Sequence, residues 1–341
     1  MIRIAVIGAG HWGPNLIRNF NNGRTSSVVR VVDRDEKRLA QVHQRFNDIQ
    51  TSSNAADAFN DAGVDAVVIA TPTSTHFELV KAALEAGKHV LVEKPIAHDV
   101  ESSDALVELA TNVGRTLMVG HVFLFNGAVR EAARIIDNGD LGKIFHISMV
   151  RTNLGPIRMD VDASWDLAAH DISVANYLLK NQALTASAVG GDWINKGIAD
   201  AVFATLRYPN NVLVNLHVSW LNPRKVRDVT IVGEQMMLTI DDMNMNEPVR
   251  IYDKGIRDDI STPGWADTFG SFRSSVREGN ITVPRVALGE PLLAECEHFI
   301  ECVSTGSTPI ASGQVGADVV RTLAAITRSM SLNGAEVEVG K

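Results

Sequence analysis

The stretch "RIAVIGAGHWG", residues 3–13, decides the fold of the N-terminal part of the chain. An apolar run of strand length is followed at once by the pattern Gly8-x-Gly10-x-x-Gly13 and then by a helical pattern. These glycines allow a tight turn and a close approach of the backbone, and the N-terminus of the following helix suits a pyrophosphate. The stretch predicts a dinucleotide-binding loop. His11 and Trp12 lie inside it, either flanking the pyrophosphate or packed beneath the loop.

A carboxylate closes the next apolar run, "VVRVVD", and bears on the choice of dinucleotide. Asp33 is placed where it can accept hydrogen bonds from an adenosine ribose. Arg34 follows it, and a guanidinium there can instead bind the 2′-phosphate of NADP. Because Asp33 would repel that phosphate, the sequence favours NAD as the cofactor and leaves NADP as the alternative.

The apolar runs continue in the same style to about residue 120. "DAVVIA", "HVLVE" and "TLMVG" alternate with helical stretches, as in a parallel sheet covered by helices on both faces. Beyond Gly120 come a helical stretch and several strand-like runs with short Gly, Asn and Pro connections, which indicate a mostly antiparallel sheet. The predicted fold class is therefore α/β. A Rossmann doubly wound parallel sheet spans residues 1–122, and an α+β domain with an open, mostly antiparallel sheet spans 123–341.

Two features are predicted near the C-terminus. Residues 254–287 contain Pro263, Gly264 and Pro284 and are expected to form an irregular excursion that is mobile or used at a subunit contact. Two helices, over roughly 289–304 and 313–332, are expected to close the chain.

The composition excludes several classes of protein. The net charge is −8 without a cluster of Lys or Arg, which argues against a nucleic-acid surface. No apolar run approaches the roughly 20 residues that cross a bilayer, and the first residues lack the layout of a secretory signal. Cys296 and Cys302 lie in one predicted helix and are expected to be buried thiols of a reducing cytoplasm. We expect a cytoplasmic protein whose partners are small molecules or further copies of itself, with neither nucleic acid nor membrane.

Polar residues gather where the next two strands end. "ATPTSTH" and "VEKP" follow apolar runs, and the carboxyl ends of parallel strands are where doubly wound sheets collect their ligands. A lysine at a strand end is ordinarily a surface residue, but the flanking Glu and Pro and its place relative to the glycine loop favour a functional Lys94. Further candidate cofactor contacts are Thr71, Pro72, Thr73, His76 and Glu93.

The stretch "WDLAAHD", residues 165–171, places two titratable groups four positions apart. On an α-helix, positions i and i+4 share one face, with Cβ atoms about 5–6 Å apart. Asp166 and His170 are therefore expected to point into one cleft. The alternative is a helix-terminal carboxylate paired with a core histidine.

Together these motifs resemble the glucose–fructose oxidoreductase/inositol dehydrogenase family, Gfo/Idh/MocA. The resemblance rests on "GAGHWG", "ATPTSTH", "VEKP", the Asp-x-x-x-His of "WDLAAHD" and "EPLLAECEHFIECVSTGSTP". It implies a Rossmann domain followed by an open antiparallel sheet, with Lys94, Asp166 and His170 as catalytic residues. Many members have glycine where Ala168 stands, and here Asp171 follows the histidine. "GHWGPN" with "WDLAAHD" resembles a branch that acts on nucleotide-linked amino sugars such as UDP-N-acetylglucosamine and its uronate.

The resemblance and the motifs predict hydride transfer between NAD or NADP and a secondary hydroxyl of a sugar, foremost the 3-hydroxyl of such a nucleotide sugar. A histidine titrates near neutral pH and suits the proton, while Lys94 suits the developing alkoxide charge. Which of Lys94 and His170 takes the proton stays open. The alternatives are a keto-sugar reductase, a free-sugar or inositol-type dehydrogenase, and a non-catalytic dinucleotide-binding sensor.

Hydride transfer to NAD requires no metal, and none is predicted. An alternative would make Asp162, Asp166, His170 and Asp171 metal ligands.

Substrate contacts are expected between the first strand of the second domain and "WDLAAHD". Arg151, Asn153 and Arg158 lie there, and arginines are suited to a diphosphate or a uronate carboxylate. The alternative is that these arginines make surface salt bridges. The large residues of the second sheet predict a homodimer or homotetramer formed through that sheet.

Overall fold

The computed structural model describes residues 1–256 and 276–340. The chain forms two compact units, one of residues 1–126 with 289–324 and Gly340, the other of residues 127–288 with 325–339. Of the excursion predicted over 254–287, residues 257–275 lie outside the described residues.

The first unit contains a six-stranded parallel sheet in the order β3-β2-β1-β4-β5-β6. Its strands are β1 (Ile2–Ile7), β2 (Ser26–Val32), β3 (Gln50–Ser52), β4 (Ala66–Ile69), β5 (His89–Glu93) and β6 (Leu117–Gly120). Its helices are α1 (Gly13–Asn22), α2 (Glu36–Arg45), α3 (Ala56–Phe59), α4 (His76–Glu85) and α5 (Val100–Asn112), with 3-10 turns at Thr73–Thr75 and Val122–Phe125. β4 and β6 are buried along their whole length. Strands buried on both faces are what continuous Val/Ile runs produce in a parallel sheet, and the Rossmann prediction is confirmed.

Two helices lie near the C-terminus, α8 (Pro291–Thr305) and α9 (Gly313–Ser331). α8 contacts α1 and the 3-10 turn after β6, and Phe299 meets Phe20 edge to face with ring centroids 6.3 Å apart. The predicted division at residue 122 had placed this helix with the second domain. The contacts instead group residues 289–324 with the first unit, because the apolar face of α8 is buried against α1.

The second unit is built on a nine-stranded sheet in the order β16-β13-β12-β11-β7-β10-β9-β8-β17. Its strands are β7 (Ile144–Leu154), β8 (Thr185–Gly191), β9 (Ala201–Tyr208), β10 (Val212–Ser219), β11 (Leu221–Gly233), β12 (Met237–Asp241), β13 (Val249–Tyr252), β16 (Ile281–Thr282) and β17 (Val337–Glu338). α6 (Gly127–Asp137), α7 (Ala169–Leu179), a π-helical turn (Ser164–Ala168) and a 3-10 turn (Pro209–Asn211) accompany it, and β14 (Gly255–Ile256) pairs with β15 (Val276–Arg277).

The mostly antiparallel character of this sheet is confirmed, with β7 and β10 as a parallel pair. Side chains alternate between the two faces along most of β9 and β10. Ala204, Leu206 and Leu216 are buried, while Phe203 and His217 lie on the opposite face and stack with ring centroids 4.4 Å apart. One face of the sheet is therefore core and the other is open.

Candidate active site

The glycine loop has the geometry of a phosphate-binding turn. Gly8 has φ +99°, and a Cβ there would lie 2.5 Å from the carbonyl oxygen of Ala70. A Cβ at Gly13 would lie 2.2 Å from the carbonyl oxygen of Gly8. Beside Gly10 the nearest atom to such a Cβ is 3.5 Å away, so a ligand can approach the backbone there. α1 begins without a side-chain cap, and the N-terminus of a helix suits an anion.

Asp33 closes the other side of the loop. Its Oδ2 accepts the N–H of Ala9 at 2.7 Å, and its Oδ1 accepts the N–H of Asp35 at 2.8 Å. Each carboxylate oxygen keeps a further lone pair for a ribose hydroxyl. Arg34 is exposed, and a second guanidinium, that of Arg38, lies 3.5 Å from Oδ2 of Asp33. The loop, its uncapped helix and this carboxylate fit the pyrophosphate and ribose of NAD.

His11 and Trp12 are both exposed, Trp12 to 43%, and their rings meet edge to face. The alternative that they pack beneath the loop is wrong, because neither ring is covered. A contact with the pyrophosphate stays a prediction.

The loop after β4 is held together by hydrogen bonds. The hydroxyls of Thr71 and Thr75 are 2.7 Å apart, and Thr75 also donates to the carbonyl of Pro72. His76 is 1% exposed, with Nδ1 2.8 Å from the carbonyl oxygen of Pro95 and Nε2 2.9 Å from that of Thr71. Its burial argues against the predicted cofactor contact. The ring instead ties this loop to the segment that carries Lys94. Thr73 is also buried, whereas Thr71 and Pro72 are accessible.

Lys94 follows β5 and is partly exposed at the carboxyl edge of the sheet. The preceding Glu93 lies beside Gly120 of β6, where a Cβ would be 3.0 Å from Glu93 Oε2. Burial raises the pKa of Glu93 to about 7, against the opposing effects of the Lys94 charge and backbone N–H. His121 is fully buried, and burial together with the Lys94 charge lowers its pKa to about 3. Within the described residues, neither ring nitrogen of His121 has a hydrogen-bond partner.

α8 adds a further carboxyl to this cluster. Glu295 is 1% exposed, and its Oε1 has no hydrogen-bond partner in the described part of the chain. Burial, and then the negative charge of Glu93, raise the pKa of Glu295 well above its ordinary value. Burial therefore favours the protonated form of Glu295 and the neutral form of His121, while Glu93, with a pKa of about 7, is partly ionised at neutral pH.

In the second unit a π-helical turn, Ser164–Ala168, precedes α7. Asp162 precedes it, with Oδ1 accepting the N–H groups of Ser164 and Trp165. Asp166 therefore belongs to the π-helical turn and His170 to the first turn of α7. The expectation of one continuous α-helix was wrong, since a π-helical turn contains an additional residue and is frequent at functional sites.

Both carboxylate oxygens of Asp166 are engaged. Oδ1 is 3.2 Å from Nη1 of Arg158, and Oδ2 accepts the indole N–H of the buried Trp220 at 3.1 Å. Arg158 also makes two hydrogen bonds to Asp160, of 2.9 and 2.6 Å, and these interactions raise the pKa of the guanidinium. The structure thus shows the salt bridge that the sequence had left as an alternative for Arg158. A phosphate contact stays a prediction.

The other two predicted substrate residues differ in accessibility. Asn153 near the end of β7 is partly exposed. Arg151 is 6% exposed and donates to Asp171 at 2.8 Å through Nε and 2.7 Å through Nη2. Burial of Arg151 argues against direct contact with a substrate.

The proposed metal ligands have other partners in the structure: Asp162 caps a turn, Asp166 binds Arg158 and Trp220, and Asp171 binds Arg151. In the part of the chain that the structure describes, no group of three or more His, Cys, Asp or Glu side chains is arranged to hold a metal ion.

Four residues of these sites were not singled out from the sequence. Arg38 lies on α2 beside Asp33, and Trp220 lies between two strands beside Asp166. His121 directly follows β6 and lies near Lys94, and Glu295 reaches Glu93 from α8, far along the chain. Only the position of His121 directly after an apolar run, as with Lys94, would have suggested it.

Comparison with known families agrees with this architecture. Residues 2–121 match the Gfo/Idh/MocA model described as an oxidoreductase family with an NAD-binding Rossmann fold, and residues 129–239 match the Gfo/Idh/MocA C-terminal domain. The chain belongs to the Gfo/Idh/MocA oxidoreductase family. It is an oxidoreductase, and the prediction of NAD as its cofactor is confirmed.

Among its relatives, UDP-N-acetylglucosamine 3-dehydrogenase of Acidithiobacillus ferrooxidans is 28% identical over 94% of both chains. A solved structure of that enzyme has a TM-score of 0.81, with 25% identity, and the match covers 96% of this chain and 98% of that one. The NAD-dependent scyllo-inositol 2-dehydrogenase of Bacillus subtilis is 27% identical over 91% of this chain and 88% of that protein. The family thus includes dehydrogenases of sugars and polyols.

None of the helices in the described part of the chain combines the length and apolar character needed to cross a membrane. Cys296 and Cys302 are free and buried, as predicted.

Proposed function

We propose that this protein oxidises a secondary hydroxyl of a nucleotide-linked amino sugar, UDP-N-acetylglucosamine or its uronate, at the 3-position. The observation that carries the substrate class is the placement of Arg158 on Asp166, which puts a guanidinium next to the proposed catalytic carboxylate. Such a cation suits a diphosphate or a uronate carboxylate. The relative that acts on UDP-N-acetylglucosamine, matched over nearly all of both chains, supports the same class.

Bound NAD supplies the hydride acceptor, and the chain supplies the proton chemistry. Lys94 and His170 are the two groups proposed to receive the hydroxyl proton or to stabilise the alkoxide that develops. Asp166, fixed by Arg158 and Trp220, is proposed to orient the sugar by accepting a neighbouring hydroxyl. Lys94 belongs to the first unit and Asp166 and His170 to the second, so their joint action is part of the proposal.

A free-polyol dehydrogenase is the second candidate, favoured by the inositol dehydrogenase relative of almost equal identity. Reduction of a keto-sugar is the reverse of the same chemistry and uses the same residues.

The test is turnover of NAD by a panel of substrates, namely UDP-N-acetylglucosamine, its uronate, free N-acetylglucosamine and myo-inositol, followed at the nicotinamide absorbance. UDP-linked sugars should give the highest kcat/KM.

Arg158→Ala should raise the KM for the UDP-sugar about tenfold or more, because one charge-assisted contact is lost. The KM for the free sugar should change little. Arg134→Ala, which removes an exposed ion-paired arginine on α6, is the matched control. Equal effects on both substrates, or preference for inositol, would favour the polyol dehydrogenase. Failure of every substrate to reduce NAD would favour a sensor.

We also propose that the open face of the nine-stranded sheet joins copies of this chain into a homodimer or homotetramer. Val189 and Phe203 are about half exposed there, and His217 stacks on Phe203. Large apolar side chains on a wide open sheet are typical of a protein interface.

A further inference from the structure

The buried ion pair between Arg151 and Asp171 connects the sheet of the second unit to the helix that carries His170. Both N–H groups of the Arg151 fork lie on one oxygen of Asp171, Oδ1, and the two side chains are 8% and 3% exposed. The second oxygen, Oδ2, is buried and without a hydrogen-bond partner among the described residues. A buried pair of this kind contributes little net stability, because desolvation of both charges offsets their attraction. The pair therefore has a role in the protein other than stabilising the fold.

A second arginine also interacts electrostatically with the Asp171 carboxylate. Arg227 of β11 is the register partner of Arg151 across the β7–β11 pair, and its positive charge acts on Asp171. Its Nη1 also donates to Asp242 at 2.9 Å. Burial raises the pKa of Asp171, and the two guanidinium groups oppose that rise. The buried carboxylate of Asp171 thus interacts with the guanidinium groups of Arg151 and Arg227, and Arg227 also binds Asp242.

His170 is the residue directly before Asp171, and its backbone carbonyl accepts the hydroxyl of Ser173 at 2.7 Å. A shift of Asp171 therefore moves the imidazole, since both belong to the first turn of α7. Several charged groups lie on the elements that pack against this turn. Asp166 and Arg158 are at the π-helical turn, Arg151 is on β7, and Arg227 of β11 is paired with Asp242. On α6 are Arg130, the Glu131–Arg134 pair and Asp137, and Asp137 binds Lys180 at the other end of α7.

We propose that Arg151 and Asp171 are positioning residues, a charge-balanced pair that fixes the first turn of α7 and so sets both the place and the electrostatic surroundings of the His170 imidazole. The proposal rests on the proposed function, in which His170 takes part in proton transfer.

The two single variants should change the pH profile in opposite directions. Asp171→Asn removes one negative charge beside Arg151 and Arg227, so the pKa of a neighbouring imidazole falls and the rise of kcat/KM moves to lower pH. Arg151→Met removes a cation, so the rise moves to higher pH. A shift of roughly half a pH unit to one unit is expected each way, because one charge is removed from the residue next to His170 or from its ion-pair partner in a partly buried site. Shifts in the same direction, or none, would overturn the proposal.

A double variant separates positioning from stability. In Arg151→Met/Asp171→Leu an apolar pair replaces the ions, and such replacements are often neutral or stabilising. We expect its Tm to stay near that of the parent protein while kcat falls about ten- to a hundredfold, because the imidazole is no longer held in place. The Kd for NAD should not change. A double variant with the kcat and pH profile of the parent protein would make the pair merely structural.

Two controls complete the experiment. Lys196→Met/Asp192→Asn removes an exposed ion pair elsewhere in the second unit and should leave kcat, Tm and the pH profile unchanged. His170→Asn distinguishes failure of the proposed function, because a His170→Asn protein with full activity removes His170 from the chemistry whatever the pair does. If His170→Asn is inactive and the opposite pH shifts are absent, only the positioning proposal fails.

Discussion

At the scale of single residues, the cluster behind Lys94 shows how burial selects charge states. Glu93, His121 and Glu295 are all titratable, yet burial raises the pKa of both carboxyls and lowers that of the imidazole. Burial therefore favours the uncharged forms of His121 and Glu295. Lys94 therefore faces Glu93 as its one partly ionised neighbour within this cluster, an arrangement that suits a cation placed to stabilise an alkoxide.

Replacing Lys94 should separate binding from chemistry. Lys94→Met is expected to leave the Kd for NAD nearly intact and to lower kcat by at least about a hundredfold, because the ammonium is needed chiefly in the transition state. Binding is measured by fluorescence titration and kcat by NAD reduction. A loss of less than about tenfold would remove Lys94 from the mechanism.

His170→Asn tests the other proton-transfer candidate by pH dependence. If the imidazole is the base, its loss should flatten the rise of kcat with increasing pH as well as lower the rate. The pH profile of kcat provides the measurement, and an unchanged profile would point to Lys94 or another base.

Glu295→Gln should raise stability at high pH. The folded protein keeps this proton where the unfolded chain, with a pKa near 4.5, has released it. The contribution of Glu295 to stability is therefore fully present below that pH and is lost as pH rises towards the raised folded pKa. Glutamine cannot ionise, so the Tm of the variant relative to the parent protein should be higher at pH 8 than at pH 5. Glu297→Gln, an exposed neighbour on α8, is the control. A Tm difference that does not vary with pH would contradict the assignment.

At the scale of elements, local patterns were sufficient for strands and for the glycine loop. Gly8, Gly10 and Gly13 predicted the phosphate turn, and at Gly8 and Gly13 the close approach of the Ala70 carbonyl and of the loop's own backbone admits no side chain. The π-helical turn before α7 was not predictable from the spacing of Asp166 and His170, and Asp166 within it binds Trp220, a residue from a distant part of the chain that no local pattern connects with it. For the same reason Arg151 was predicted at a cleft and lies buried on Asp171.

Asp33, which binds the loop between β1 and α1, leads to a prediction about affinity for NAD and NADP. Asp33→Ala removes the acceptor for the Ala9 N–H together with the proposed ribose contacts, and it deletes a charge that repels a 2′-phosphate. Affinity for NAD should fall about tenfold or more, and affinity for NADP less, as measured by titration with each cofactor. Asp35→Ala, at the N-terminus of α2, is the control. Tighter binding of NADP than NAD by the parent protein would show that Arg34 or Arg38 dominates.

At the scale of the whole molecule, sequence order misplaced the C-terminal helices. α8 follows the second sheet in the chain but packs with α1, so Glu295 reaches Glu93 from a segment that no local pattern connects with it. The two sheets themselves were predictable, because continuous apolar runs and alternating runs differ in period. Long-range contacts between helices have no such period.

Assembly should depend on the open sheet face. Phe203→Glu is expected to convert the homodimer or homotetramer to monomers in light scattering at micromolar concentration, because a charge replaces a stacked aromatic ring. Val113→Glu, an exposed apolar position at the end of α5, should have no effect. A parent protein that is already monomeric would contradict the interface.

The most direct test of the central claim follows the hydrogen that the sugar gives up. UDP-N-acetylglucosamine carrying deuterium at C3 is incubated with the protein and NAD, and the reduced cofactor is isolated and analysed by mass spectrometry and NMR. The proposed function predicts deuterium in the reduced nicotinamide and a slower rate than with the unlabelled sugar. Reduced nicotinamide without deuterium would show that another position is oxidised. No reduction at all with any UDP-sugar would contradict nucleotide-sugar oxidation by this protein.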